Sequence, residues 1–203
     1  MWDSVPWRNN AYIRSAFFTE PPRRTNMSGS LWDFALETYQ RPGVQEACLK
    51  LQDDLGADVN ILLYCCWRGG FADGEMRALL ADLAPWQSGV VHGLRSIRRT
   101  LKPMVAELGA LSEPAANLRT KVAALELEAE KLQHTMLSRH SVEHGETSPP
   151  SPQAALQNLT QYFKLLEKAP EGGEKDMLEI LVVAAFPDNA EIDIKADLGG
   201  AQT

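Results

Sequence analysis

His140-Ser-Val-Glu-His144 matches the H-x-x-E-H pattern, in which histidines on adjacent helical turns hold a metal ion and the glutamate polarises a water. A catalytic metal needs ligands fixed by a rigid, buried surround. His140, Glu143 and His144 fall instead where helical patterning fades into Gly145-Glu-Thr-Ser-Pro-Pro-Ser-Pro152, and no downstream helix offers an obvious third ligand in a recognisable setting, although Glu167 and Glu179 are present. They read as a solvated helix end, with a metal site as the weaker alternative, and no cofactor is expected.

A second group lies on one helical face. His92, Arg95, Arg99 and Lys102 recur at three- and four-residue spacing with Arg98 close by, a row of cations suited to phosphates or to an acidic partner. Any amphipathic helix shows such a row to water, and Glu126, Glu128 and Glu130 are placed to neutralise it. The solvated reading is favoured, yet this row ranks first as a candidate binding site.

Asp33, Asp58 and Asn60 form a third group. Asn60 sits among Val, Ile, Leu, Tyr and Cys, so a buried amide there must be hydrogen-bonded, with Asp33 or a helix end as partner. A structural polar network outweighs a catalytic one. Cys65 and Cys66 are neighbours whose side chains diverge by about 100° on a helix, which favours packing over redox chemistry. Gly69-Gly-Phe-Ala-Asp-Gly74 lacks the lysine and Ser/Thr of a phosphate-cradling loop and reads as a turn between helices.

These residues are positioned by helices. Val90, Leu94, Ile97, Leu101 and Met104 recur at helical spacing, and after a break at Gly109 so do Ala115, Leu118, Val122, Leu125, Ala129, Leu132 and Met136. This predicts a long antiparallel hairpin over 85–140 closed by a coiled-coil-like seam. Upstream, Ser30 with Asp33 resembles a capping box, Gly56 a left-handed stop and Asp58 the cap of an apolar helix over Val59 to Trp67. A short helix through Met76 to Leu83 is expected to end before Pro85, with Pro85 in the first turn of the next. Residues 145–152 read as a turn-rich or mobile linker, 153–186 as a closing helical pair, and 187–203 as a frayed acidic tail. Only Ile180 to Val183 is β-branched enough to suggest a strand.

The fold class is therefore all-α, a helical bundle built on a long antiparallel helical hairpin, with 27–186 as a single domain. Residues 1–26 lack periodicity and read as a disordered extension, with Met27 as the natural start. At 203 residues with 44% hydrophobic and 23% charged residues the composition is that of an ordinary soluble protein, and no apolar run is long enough to cross a bilayer. A formal net charge of −7 disfavours nucleic acid as a partner outside a local basic patch. Cys48, Cys65 and Cys66 lack disulfide or zinc spacing, which fits a reducing compartment and the cytoplasm.

Leu31-Trp-Asp-Phe-Ala-Leu36, Arg41-Pro-Gly-Val44, Cys48-Leu-Lys-Leu-Gln52 and Gly56-Ala-Asp-Val-Asn60 with Leu62-Leu63 resemble an uncharacterised family of small bacterial proteins, a domain of unknown function. Pro85-Trp86, Leu94-Arg-Ser-Ile-Arg-Arg99 and Leu125-Glu-Leu-Glu-Ala-Glu130 continue the resemblance. It implies bacterial origin and a cytoplasmic helical protein, and brings no activity or catalytic residue. The favoured function is a non-enzymatic module that docks another protein, or itself, through helix faces. The alternatives are an anion- or RNA-facing accessory protein using the basic row, and a small enzyme or metal protein.

Overall fold

The computed structural model describes residues 29–189, whose regular elements are all helices, with no strand among them. Residues 1–26, expected as a disordered extension, Met27, expected as the start, and the expected acidic tail beyond 189 lie outside the described residues.

Local signals start and stop the early helices. The Ser30 hydroxyl accepts the Asp33 backbone N–H at 3.2 Å and donates to the Asp33 carboxylate at 2.7 Å, opening α1 (Leu31–Tyr39). Helix α2 (Val44–Leu55) ends on Gly56 at φ 72°, a left-handed conformation that costs a glycine little. Asp58 then caps α3 (Val59–Trp67), accepting the N–H groups of Asn60 and Ile61 at 2.8 and 3.1 Å. Because α3 is apolar on nearly every side, it must be surrounded, and Ile61 to Cys66 are all buried.

Helix α4 (Glu75–Trp86) runs through Pro85, where the sequence predicts a boundary. The chain continues as a π-helical turn, Gln87–Val91, into α5 (His92–Glu107), which also contains Pro103. Proline has no N–H and its ring crowds the carbonyl four residues back, so each costs the helix a hydrogen bond without ending it here. A 3-10 turn, Gly109–Leu111, leads to α6 (Ser112–His144), which extends past the point where its apolar pattern fades. Helix α7 (Pro152–Leu165) starts on a Ser151 cap, and α8 (Gly173–Ala185) absorbs the β-branched Ile180 to Val183 as helix.

The described residues fall into two compact units, Gly29–Ala81 with the chain from His134 onward, and Asp82–Gln133. In the first, α2 packs on α8, α7 on α3, and α1 on α3, around Leu31, Leu51, Tyr64, Leu159, Phe163 and Leu181. Residues 145–151 are held to this core by paired backbone bonds. Gly70 N–H donates to Ser148 O at 3.1 Å and Thr147 N–H to Gly70 O at 3.0 Å. The approach is so close that a Cβ on Gly69 would lie 1.8 Å from Ser148 O.

The second unit is an antiparallel hairpin of α5 and the first two thirds of α6. Its ion pairs run in opposite chain directions, Arg95 to Glu130 at 2.9 Å and Arg98 to Glu126, and Trp86 Nε1 also reaches α6, donating to Ala129 O at 3.2 Å. The expected seam is split. Ala115, Val122 and Ala129 are buried, whereas Leu118, Leu125, Leu132 and Met136 are exposed. The cause is Glu126, which faces α5 and is fully buried with both oxygens engaged by arginines. Directing that carboxylate inward turns α6 so that the leucine row falls on its flank.

Candidate functional site

Of the basic row on α5, Arg98 is buried and holds both oxygens of Glu126, a fork-to-fork pairing. Arg95 bridges Glu126 at 3.1 Å and Glu130 at 2.9 Å. Two guanidinium groups thus meet two carboxylates inside the hairpin, while His92, Arg99 and Lys102 lie exposed. Glu128 points to solvent and takes no part in this arrangement.

The polar trio is divided. Asp33 stays at the exposed start of α1 with Ser30. Asp58 is buried, and its backbone N–H donates to the Tyr162 hydroxyl at 2.8 Å. Asn60 presents Oδ1 to His134 Nε2 at 2.9 Å. His134 is buried with its ring edge-on to Trp32, and its Nδ1 has no hydrogen-bond partner among the described residues. The Asn60 contact therefore assigns the neutral Nε2–H tautomer, because Oδ1 can only accept. Burial drives the imidazole pKa from 6.5 down to about 4, with Asp58 pulling weakly the other way.

The histidine pair lies next to a group that sequence reasoning did not single out. Arg68 is wholly buried, over the Phe71 ring at 4.0 Å. It donates to the Tyr64 hydroxyl at 3.0 Å and to His140 Nδ1 at 3.1 Å, and its Nη2 lies 2.6 Å from Glu75 Oε1. The His140 and His144 rings stack at 4.1 Å, and with Glu75 their ligand atoms lie within 4.8 Å of one another. Glu143 instead faces Arg139 at 3.3 Å. The carboxylate beside the histidines is thus Glu75 from α4, and the Arg68 charge on it opposes a second cation. Arg68 could have been suspected only from its place beside Gly69-Gly70 at the end of an apolar helix.

All three cysteines are fully buried, and burial pushes the Cys48 thiol up to about 12 and raises those of Cys65 and Cys66 as well, so none is a thiolate nucleophile. A shallow depression lined by Lys50, Leu55, Glu171 and Glu174 is open to solvent and gathers no buried polar groups.

The most unusual surface is apolar. Leu111, Leu118, Leu125 and Leu132 are spaced by seven residues and are 60%, 51%, 52% and 53% exposed. On α5, Ile97, Met104 and Leu108 are also exposed. At 100° per residue, Ile97 trails the inward-facing Arg98, and Leu125 trails Glu126, by the same angle. Equal offsets in antiparallel helices point to the same side, so both rows share one flank of the hairpin. Leu127, on the other flank of α6, is buried.

Among the described residues no helix is long and apolar enough to cross a membrane. A family described as "Protein of unknown function (DUF2390)" matches residues 30–137, over half of the chain. No curated protein and no solved structure matches.

Proposed function

We propose, for a chain that belongs to this family of unknown function, that it is a cytoplasmic protein-interaction module that docks through the apolar flank of the α5–α6 hairpin. The observation that carries the reading is the row Leu111, Leu118, Leu125 and Leu132, at a strict heptad spacing and about half exposed. A lone exposed leucine needs no explanation, but a contiguous apolar face of several hundred Å² does, because water penalises it by about 25 cal/mol per Å². A seven-residue repeat is the period at which one helix keeps the same face against another.

The anion-facing alternative has weaker support, since Arg95 and Arg98 are committed to Glu126 and Glu130. An enzymatic reading has less still. Arg68 is held by Tyr64, His140 and Glu75, and His134 by Asn60, contacts of the kind any fold needs to bury polar groups.

Photo-crosslinking in cells tests the reading. A photoreactive side chain in place of Leu125 is expected to give discrete protein adducts, and one in place of Asn117, on the polar side of α6, none. Equal yields at the two positions, or no adduct at Leu125, would overturn it.

A further inference from the structure

We infer that the occupant of this flank is a second copy of the chain, bound so that α6 lies antiparallel on its counterpart with Leu125 at the two-fold axis. The inference rests on the docking reading above and adds the identity and register of the partner.

The face is self-complementary. A two-fold axis through Leu125, perpendicular to the helices, places Leu118 against Leu132 of the other copy, because each stands seven residues from the axis. Lys121 and Glu128 lie four before and three after Leu125, both exposed and both on the outer margin of the leucine row. The same axis therefore sets Lys121 beside Glu128 of the second copy, twice over, while like charges stay apart. On α5 the level of Leu125 falls between Ile97 and Met104, given the Arg98–Glu126 and Arg95–Glu130 pairings. The axis therefore also sets Ile97 against Met104. Apolar layers and charges on both helices agree on one register.

The extent of the face suits this occupant. Seven large side chains, Ile97, Met104, Leu108, Leu111, Leu118, Leu125 and Leu132, each about half exposed, offer roughly 600 Å². With the stems of Lys121 and Glu128 this nears the roughly 800 Å² per partner of a standard interface. The interior of the hairpin holds two arginines and two glutamates in place of a continuous apolar seam. Two hairpins face to face give a four-helix arrangement in which the leucine rows form a shared apolar core.

Cysteine crosslinking reads the register directly, and the native cysteines are buried and do not compete. Under mild oxidation Leu125→Cys is expected to form a disulfide-linked dimer. Leu118→Cys and Leu132→Cys are each expected to form no interchain disulfide alone and to crosslink when mixed. In sedimentation velocity, Lys121→Glu and Glu128→Lys should each weaken the dimer about tenfold, and the double exchange should restore it. A chain that stays monomeric, or Leu118→Cys that crosslinks to itself, overturns the inference. The adduct at residue 125 in cells separates the two claims: the mass of two chains supports both, a different mass overturns the self-pairing alone, and no adduct overturns the docking reading as well.

Discussion

His134 gives the most quantitative test of the packing. Its ring is buried, with Nε2 on Asn60 at 2.9 Å and Nδ1 without a hydrogen-bond partner among the described residues, so charging it adds a proton that none of them accepts. The folded-state pKa is about 4 against 6.5 for the free side chain. Between those values the unfolded chain holds a proton that the folded chain lacks, so stability must rise with pH. The difference of about 2.5 pH units corresponds to about 3 kcal/mol, lost as pH falls from above 6.5 through 4, with about 2 kcal/mol of it lost between pH 7 and pH 5. Urea unfolding of the wild type and of His134→Gln at both pH values isolates the term, because other titrating groups are common to the two proteins. The substitution should cost the most at pH 7, and its cost should shrink by about 2 kcal/mol at pH 5. Parallel pH profiles for the two proteins would refute the assignment of a buried neutral imidazole.

Three further outcomes follow from other contacts. Gly69→Ala should destabilise by about 1–3 kcal/mol and raise hydrogen exchange at Thr147 and Gly70, because the new Cβ meets Ser148 O at 1.8 Å; unchanged exchange there would contradict the close approach. Glu126→Gln should cost about 3 kcal/mol or more in thermal unfolding by stranding Arg98, and Arg98→Met with Glu126→Leu should recover most of that loss; a single change milder than the double would contradict the buried pairing. Asn158→Ala should cost about 1–3 kcal/mol, since its buried amide N–H₂ reaches the carbonyls of Cys65, Arg68 and Gly69 at the end of α3; a neutral effect in urea unfolding would count against that cap.

What could be read from the sequence divides by the range of the interaction. Ser30, Gly56 and Asp58 act on backbone groups within a few residues, so the limits of α1 to α3 follow from local chemistry. The all-α class follows from spacing alone. The hairpin was legible as two helices but not in its rotation, because Val122 and Leu125 are equally apolar. Which of them turns inward depends on a carboxylate at 126 and guanidinium groups at 95 and 98, about 30 residues apart along the chain. The same limit applies to Glu75, which comes from α4 to the side of His140 where the motif had pointed to Glu143. It applies also to His134, whose burial depends on Trp32 and Asn60 from distant helices. Gly69-Gly70 announced a helix end, but the strand-like pairing with Ser148 is a tertiary contact with no signal of its own.

Sedimentation velocity on the full chain and on its Leu118→Gln, Leu125→Gln, Leu132→Gln triple variant tests the central claim most directly, with circular dichroism to confirm equal helix content. The wild type is predicted to sediment with the mass of two chains over the micromolar range and the variant with the mass of one. Two species of equal mass would contradict the claim that the leucine row is where two copies of this chain pair.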